Sequence, residues 1–258
     1  MRFCSLGSGS SGNATLVEAQ GGITVTRVLV DCGFSLRELT GRLARIGLAP
    51  DDIDAVFVTH EHGDHVGCAL TLARKHGIPV WTSRGTWRAM GSPELPGLIH
   101  FARDLTPIAL GDMELVPYTV PHDASEPLQL RFSDGAAKLG VLTDAGSITS
   151  HLLSQLQQCD ALLLECNHDR EMLENSGYPA SLKRRIGGRL GHLANDTAAE
   201  ILAACRHQRL RHLVAAHLSE RNNTREIAAL AMASALGTTP DNIVVADPKL
   251  GFPWLDVG

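Results

Sequence analysis

No run of eighteen apolar residues occurs in this chain, which leaves no candidate for a membrane-spanning helix. Met1-Arg2-Phe3-Cys4 lacks the charged-then-apolar pattern and cleavage site of a secretory leader, so a cytoplasmic location with no membrane partner is expected. Cys4, Cys32, Cys68, Cys159, Cys166 and Cys205 are scattered with no C-x-x-C pair, which excludes a disulfide framework and a cysteine-based zinc site and leaves most of them to the core. There is no surplus of positive charge: the formal net charge of −5 argues against a globally basic nucleic-acid binder, although a cleft can carry a local field of opposite sign. Internal repeats, low-complexity stretches and linkers are absent too, and one domain over residues 1–258 is expected. Its 44% hydrophobic and 20% charged residues are enough to bury a sizeable core.

What the chain has in excess is histidine. Twelve are many for this length and are the first sign of metal chemistry. Patterning locates them. Arg2–Leu6, Ala14–Ala19 and Thr24–Val30 read as a β-meander, its first two strands separated by the turn-rich Gly7-Ser8-Gly9-Ser10-Ser11-Gly12-Asn13. Ser35-Leu36-Arg37-Glu38 has the form of a capping box, and Leu36, Leu39, Leu43 and Ile46 continue at helical spacing up to Gly47. A strand at Ala55–Val58, a helix at Val66–His76 and a strand at Pro79–Trp81 make a strand-loop-helix-strand unit. Further strands are expected at Met113–Val120, Gln129–Ser133, Ala137–Leu142, Ala161–Glu165 and His212–Ala216. Helices are expected near Ser147–Gln157, from a second capping box at Thr197-Ala198-Ala199-Glu200, and from Asn222-Asn223-Thr224 to Leu236-Gly237. The mixture indicates a layered α/β (α+β) chain; periodicity alone does not set its strand order.

His60, His62, Asp64 and His65 fall within six residues directly after the strand Ala55–Val58, where the loop at a strand's carboxyl end commonly forms a site. Imidazoles with a carboxylate suit zinc, and also manganese or iron. A solvated polar loop would explain one histidine but not four ligand-type side chains packed so closely.

In these residues the sequence resembles the metallo-β-lactamase superfamily, whose H-x-H-x-D-H signature stands unaltered at His60 to His65. The resemblance implies an αββα four-layer sandwich of two similar halves. It also implies a third histidine after a strand, a bridging aspartate and a last histidine, which His122, Asp144 and His217 supply. By this carry-over two divalent metal ions, zinc foremost, are bound: one by His60, His62 and His122, the other by Asp64, His65 and His217, with Asp144 between them. Two metals sharing Asp144 would share a water and lower its pKa toward neutrality.

Ser5-Leu6-Gly7-Ser8-Gly9-Ser10-Ser11-Gly12-Asn13, Leu164-Glu165-Cys166-Asn167-His168-Asp169, Gly191-His192-Leu193-Ala194-Asn195 and His217-Leu218-Ser219 narrow the resemblance to the WalJ/YycJ exonuclease-like family, more distantly to ribonuclease Z. A nucleic acid substrate, DNA favoured over RNA, cut from the 5′ end is implied. Ala194 stands where relatives often have serine. His192, in a Gly-His that is catalytic in ribonuclease Z, and Asp64 are the candidate catalytic residues, His192 as a phosphate-contacting general acid, although a histidine there can also brace a helix. Asp31 is a supporting residue able to orient a ligand histidine. Glu165 and His168 fall outside the ligand pattern. Lys183, Arg184, Arg185 and Arg189 are either a solvated helix face or a hold on a phosphate backbone. Two alternatives stay open: a phosphodiesterase of a small cyclic or nucleotide substrate, and a non-catalytic metal-binding partner protein.

Overall fold

The computed structural model describes residues 1–258. Its first half begins with the expected meander, β1 (Arg2–Gly7), β2 (Ala14–Gly21) and β3 (Thr24–Val30), followed by α1 (Leu36–Arg45). The capping box forms as the sequence indicates: Ser35 Oγ accepts the Glu38 amide while the Glu38 carboxylate accepts the Ser35 amide. Then come β4 (Ala55–Phe57), α2 (Gly63–Val66), α3 (Ala69–His76), β5 (Val80–Thr82), α4 (Arg84–Ala89) and β6 (Ile99–Phe101). The second half runs β7 (Ile108–Leu110), β8 (Met113–Thr119), β9 (Leu128–Ser133), β10 (Lys138–Leu142), α5 (Ser150–Leu156), β11 (Ala161–Glu165), α6 (Arg170–Asn175), α7 (Ala180–Ile186), α8 (Asn195–Cys205), β12 (His212–Ala216), α9 (Arg225–Leu236), β13 (Val244–Val245) and β14 (Phe252–Asp256).

Two seven-stranded sheets result, ordered β14-β1-β2-β3-β4-β5-β6 and β13-β12-β11-β10-β9-β8-β7. Each is antiparallel on one side and parallel on the other: β3 to β6 run parallel in the first sheet, β10 to β13 in the second. Strand alternation then sorts side chains into layers. Val28, Val30, Phe57, Leu130, Phe132, Val141, Leu163 and Val214 point between the sheets. Leu16, Leu29 and Val56 face Leu39, Leu43 and Leu72 of the helices on one outer side, and Leu162 and Leu164 face Leu152, Ile201 and Met232 on the other. Each fully buried side chain of this size contributes about 1.5–3 kcal/mol by leaving water. This is the expected αββα sandwich. Tyr118, fully buried in the second outer layer, satisfies its hydroxyl by donating to the Val141 carbonyl at 2.7 Å. No helix is long and apolar enough to cross a membrane.

Three expectations are corrected. The helix expected over Val66–His76 is broken into α2 and α3 at Gly67, whose φ of 35° leaves the helical region. A Cβ at Gly67 would stand 2.2 Å from the Cys32 carbonyl oxygen, so close backbone packing, invisible to periodicity, sets the break. Second, α8 starts three residues before its expected capping box: Ala194 is the N-cap, held extended by a bridge to His168, and Thr197 Oγ1 instead receives Arg170. An alanine there forgoes the side-chain cap that a serine would supply. Third, α5 starts at Ser150, capped by Thr149, rather than near Ser147.

The loop carrying His60 to His65 is stitched to the end of β3. Cys32 N donates to the His65 carbonyl (2.7 Å), Cys68 N to the Cys32 carbonyl (3.0 Å) and Asn13 N to the Asp64 carbonyl (2.8 Å). A Cβ at Gly33 would lie 1.7 Å from the Asp64 carbonyl oxygen. We expect Gly33→Ala to cost at least the ~1–3 kcal/mol typical of overpacking and to displace the loop. A lowered melting temperature together with reduced metal content checks this; an unchanged melt would refute the close approach.

Candidate metal centre

The loops that matter leave the sheets at one edge. His60 follows β4, with His62 at the N-cap of α2 and Asp64 and His65 within its single turn. His122 follows β8, Asp144 follows β10, and His217 immediately follows β12. Asp31, Asp144 and His217 each take a left-handed backbone on leaving their strand, with φ of 61°, 53° and 55°. For residues other than glycine that costs on the order of 1–3 kcal/mol each. Thr59 N on Asp31 Oδ1 (2.9 Å) and His217 N on Ser8 Oγ (2.9 Å) help to hold the bends.

The imidazoles are aimed by what their outer nitrogens touch. His60 Nδ1 meets Thr59 Oγ1 (3.0 Å), His65 Nδ1 meets Asp31 Oδ2 (2.7 Å), His122 Nδ1 meets the Gly191 carbonyl (2.9 Å) and His217 Nδ1 meets Glu165 Oε1 (3.2 Å). With those Nδ1 atoms engaged as donors, each Nε2 is the nitrogen left to turn a lone pair inward toward an ion once it carries no proton. His62 is turned the other way, its Nδ1 lying 3.0 Å from His60 Nε2 and 3.3 Å from His122 Nε2. On the other side His65 Nε2 lies 3.4 Å and His217 Nε2 3.6 Å from Asp64 Oδ2. Asp144 stands between, Oδ2 3.0 Å from His65 Nε2 and Oδ1 3.9 Å from His122 Nε2.

These separations fit ions. Ligand atoms about 2.0–2.2 Å from one tetrahedral ion sit roughly 3.3–3.6 Å from each other. The donor atoms gather in four overlapping sets: His60, His62 and His122; His60, His65 and Asp144; Asp64, His65 and His217; and Asp144, Glu165, His192 and His217. His217 Nε2 is buried with no hydrogen-bond partner, and Asp144 Oδ2 has only the His65 ring nitrogen beside it, a costly arrangement for polar atoms unless a cation satisfies them. The donor set therefore fits divalent metal, and all seven residues expected as ligands converge here.

Charge follows the same logic. Burial alone would raise the Asp144 carboxyl, but His217 and His65 hold it well below the usual range. Burial would also lower His217, yet Asp144, Asp64 and Glu165 raise it to about 10, while His65 is pushed well above its ordinary value by Asp144 and Asp31. Burial among other imidazoles drives His60 well below. Protons on His65 and His217 thus balance the carboxylates when no ion does, and a ligating imidazole must surrender them. Metal addition to chelated protein should release protons at neutral pH, seen as acidification of a weakly buffered solution. The stability sign follows. His217 is raised from about 6.5 when unfolded to about 10 when folded, so its contribution is complete below pH 6.5 and disappears as pH climbs through 10. The depressed carboxylates stay ionised throughout that window. Chelated protein should therefore melt lower at pH 10 than at pH 6.5; a flat profile would contradict this.

His192 lies beside the centre, its ring Nδ1 2.8 Å from Glu165 Oε1 and 3.3 Å from Asp144 Oδ1, with its side chain 24% exposed. Burial opposes its charge but Glu165 overrides burial and raises the imidazole. Residues 26–217 match the model of the β-lactamase superfamily domain. The chain is 34% identical over 240 residues to the exodeoxyribonuclease WalJ of Streptococcus pneumoniae, covering 91% of this chain and 88% of that one. It is 34% identical over 241 residues to the exodeoxyribonuclease YycJ of Bacillus anthracis, covering 92% and 89%. The chain belongs to the β-lactamase superfamily. Among solved structures the metallo-β-lactamase fold protein YhfI of Bacillus subtilis superposes with a TM-score of 0.73 at 17% identity, over 98% of each chain. As a superfamily member related to WalJ and YycJ, this chain is a metal-dependent hydrolase with a divalent-metal site.

Within this β-lactamase-superfamily fold, sequence reasoning passed over Glu165. Fully buried and held down to about 2 despite burial, chiefly by His192, it receives His192 Nδ1, His217 Nδ1 and the Ala145 amide (2.9 Å), and so positions two functional rings at once. Its signal was there: a carboxylate ending the apolar run Ala161-Leu162-Leu163-Leu164 has to be buried, and a buried carboxylate needs cationic or N–H partners. The sequence pattern places Asn13 only in a turn, yet its Nδ2 donates to Asp64 Oδ2 at 3.2 Å while its Oδ1 accepts the Gly9 amide. Ser8 caps His217, as described. The glycine-serine loop braces the centre. Asp31 takes the supporting place expected of it. Lys183, Arg184, Arg185 and Arg189 do not form one face: Arg185 reaches Asp123 at the centre (2.6 Å), whereas Lys183 and Arg184 line a separate pocket.

Proposed function

We propose that this chain is one domain over residues 1–258 acting as a nucleic-acid phosphodiesterase, a 5′-to-3′ exonuclease with DNA favoured, working in the cytoplasm on two divalent ions. The observation that carries the reading is the pair of donor sets, His60, His62 and His122 against Asp64, His65 and His217, meeting at Asp144 with His192 alongside. In this reading each set would hold an ion, with Asp144 shared between the two sets; zinc suits the ligands first, manganese or iron next. Two such ions would supply an acidified water as nucleophile and positive charge against a phosphodiester oxygen.

The chain's own residues do the rest. Asp64 and Asp144 fix the spacing of the two halves of the site, Asp64 held in turn by Asn13. His192, whose charged form Glu165 favours, would give a ring proton to the departing 3′-oxygen, leaving a 3′-hydroxyl and a 5′-phosphate. Glu165 keeps Nδ1 occupied, so the other ring nitrogen faces the substrate. The names of WalJ and YycJ support DNA as the substrate.

One observation favours a smaller substrate: with Arg185 on Asp123 while Lys183 and Arg184 line a separate pocket, the basic residues of this segment do not make one continuous groove. The experiment is metal analysis of purified protein followed by digestion of end-labelled single- and double-stranded DNA and RNA beside cyclic dinucleotides. Stepwise release of mononucleotides from 5′-labelled DNA is the expected result. Cleavage of cyclic dinucleotides alone would replace this reading with the small-substrate one, and metal binding without hydrolysis of any of them would point to a non-catalytic partner.

A further inference from the structure

Beside α7 lies a pocket of about 620 Å³, lined by none of the seven candidate ligands, that the proposed chemistry does not use. Its wall includes His168, Arg170, Tyr178, Lys183 and Arg184, with Glu174 as the acidic member. His168 is the informative residue. It is 1% exposed, its Nδ1 is buried without a partner, and no protein group bonds either ring nitrogen. A methyl group on Gly187, which also lines the pocket, would stand 4.0 Å from its Nε2. Burial lowers its pKa to about 4, so near neutral pH the ring is uncharged and carries one donor and one acceptor. An uncompensated buried imidazole costs stability unless something that enters the pocket bonds to it.

The rest of the wall says what that is. Arg184 has no partner in the protein, Lys183 Nζ touches only the Glu174 main-chain oxygen, and Arg170 is already held by Asp196 (2.6 Å) and Thr197 (2.8 Å). Two cations are therefore available for an anion. Tyr178 offers an aromatic ring, flanked by the Arg221 guanidinium 5.8 Å from its centroid. Cations for a phosphate, a ring for a base and a neutral imidazole for a base edge make up a nucleotide's requirements. The pocket is also tied to the centre: the same helix sends Arg185 to Asp123, whose Oδ1 is 3.5 Å from His122 Nε2, and the His192 amide donates to the Ile186 carbonyl at its end. A helix is about 10–12 Å across, so one strand can occupy both sides of it.

We infer that this pocket is a nucleotide subsite, taking a phosphate on Lys183 and Arg184 and a base against Tyr178 and His168 from the strand cut at the metal centre. The inference rests on the nuclease reading above. A free mononucleotide has the same chemistry, and the test separates the two. Chelated full-length protein is titrated calorimetrically with deoxyadenosine monophosphate and with a short 5′-phosphorylated single-stranded oligodeoxynucleotide. The variants are Lys183→Gln/Arg184→Gln, Tyr178→Ala with Tyr178→Phe as control, and Gly187→Leu, which fills the pocket without removing charge; melting temperature and metal content report their folding. The expected result is a Kd for the oligonucleotide about tenfold weaker in all but Tyr178→Phe, with KM of the metal-loaded enzyme rising in parallel and kcat held. Wild-type cleavage of DNA with unaltered binding in every folded variant would overturn the subsite and leave the nuclease reading standing. Loss of mononucleotide binding with oligonucleotide binding intact would overturn it in favour of a free-nucleotide site. Variant-sensitive binding of both probes by a wild-type protein that cuts no nucleic acid would support the pocket and remove the nuclease reading instead.

Discussion

Replacing Asp144 with alanine should abolish turnover and leave the protein unable to hold its full complement of metal. The carboxylate is 2% exposed and lies within 3.9 Å of His65, His122, His192 and His217. It is common to two of the donor sets that surround the centre. Its removal takes away the charge that raises His65 and His217 without metal, and with it the carboxylate that the proposed two-ion arrangement needs between its two halves. The fall in rate should exceed that of any other single substitution discussed here, beyond detection in an end-labelled DNA assay, with fewer than two ions per chain by elemental analysis. Because Asp144 sits at φ 53°, alanine adds backbone strain that asparagine tolerates better. Asp144→Asn is therefore the companion variant: it keeps the bend, loses the charge, and should also lack activity while melting closer to wild type. Near-normal activity with full metal content in either variant would remove the two-ion arrangement.

The His192→Ala variant should behave differently, keeping its metal while kcat drops by roughly 10²–10⁴, the range for a lost general acid. The ring is braced by Glu165 at the edge of the centre and keeps a partly exposed side, the position of a group that meets substrate. If His192 works as an acid, the rate falls as pH rises through its pKa. Glu165 raises that pKa, so Glu165→Gln should move the fall to lower pH; a merely structural carboxylate would lower the rate without moving the profile. Loss of metal from His192→Ala would make it a ligand instead.

Four of the candidate ligands, His60, His62, Asp64 and His65, were legible because they share six residues; His122, Asp144 and His217 were reached through the family resemblance, each at the end of an apolar strand, and the structure brings the seven together. Residues that act from a distance were not legible. Glu165 matters only because β11 lies between β10 and β12, and Asn13 only because its loop meets Asp64, neither of which is a local property. The same limit explains the divided basic run, since the direction each side chain takes from α7 depends on Asp123 and Glu174. Edge strands were the weakest signal in the fold: β14 contains Pro253, a residue that a sheet accepts only where no neighbour needs its missing N–H.

That edge strand has a consequence for the life of the nascent chain. Residues 252–256 pair with residues 2–5, and the Arg42 and Arg45 guanidinium groups reach the Lys249 carbonyl. Translation at about 5–20 residues per second would separate synthesis of the two strands by roughly 13–50 s. Throughout that interval the backbone edge of Phe3 and Cys4 has no β14 beside it, and an open apolar edge is a template for pairing with other chains. Slow ribosomes and crowded polysomes are thus the conditions under which this hydrolase is most exposed to aggregation, long before its metal site can form.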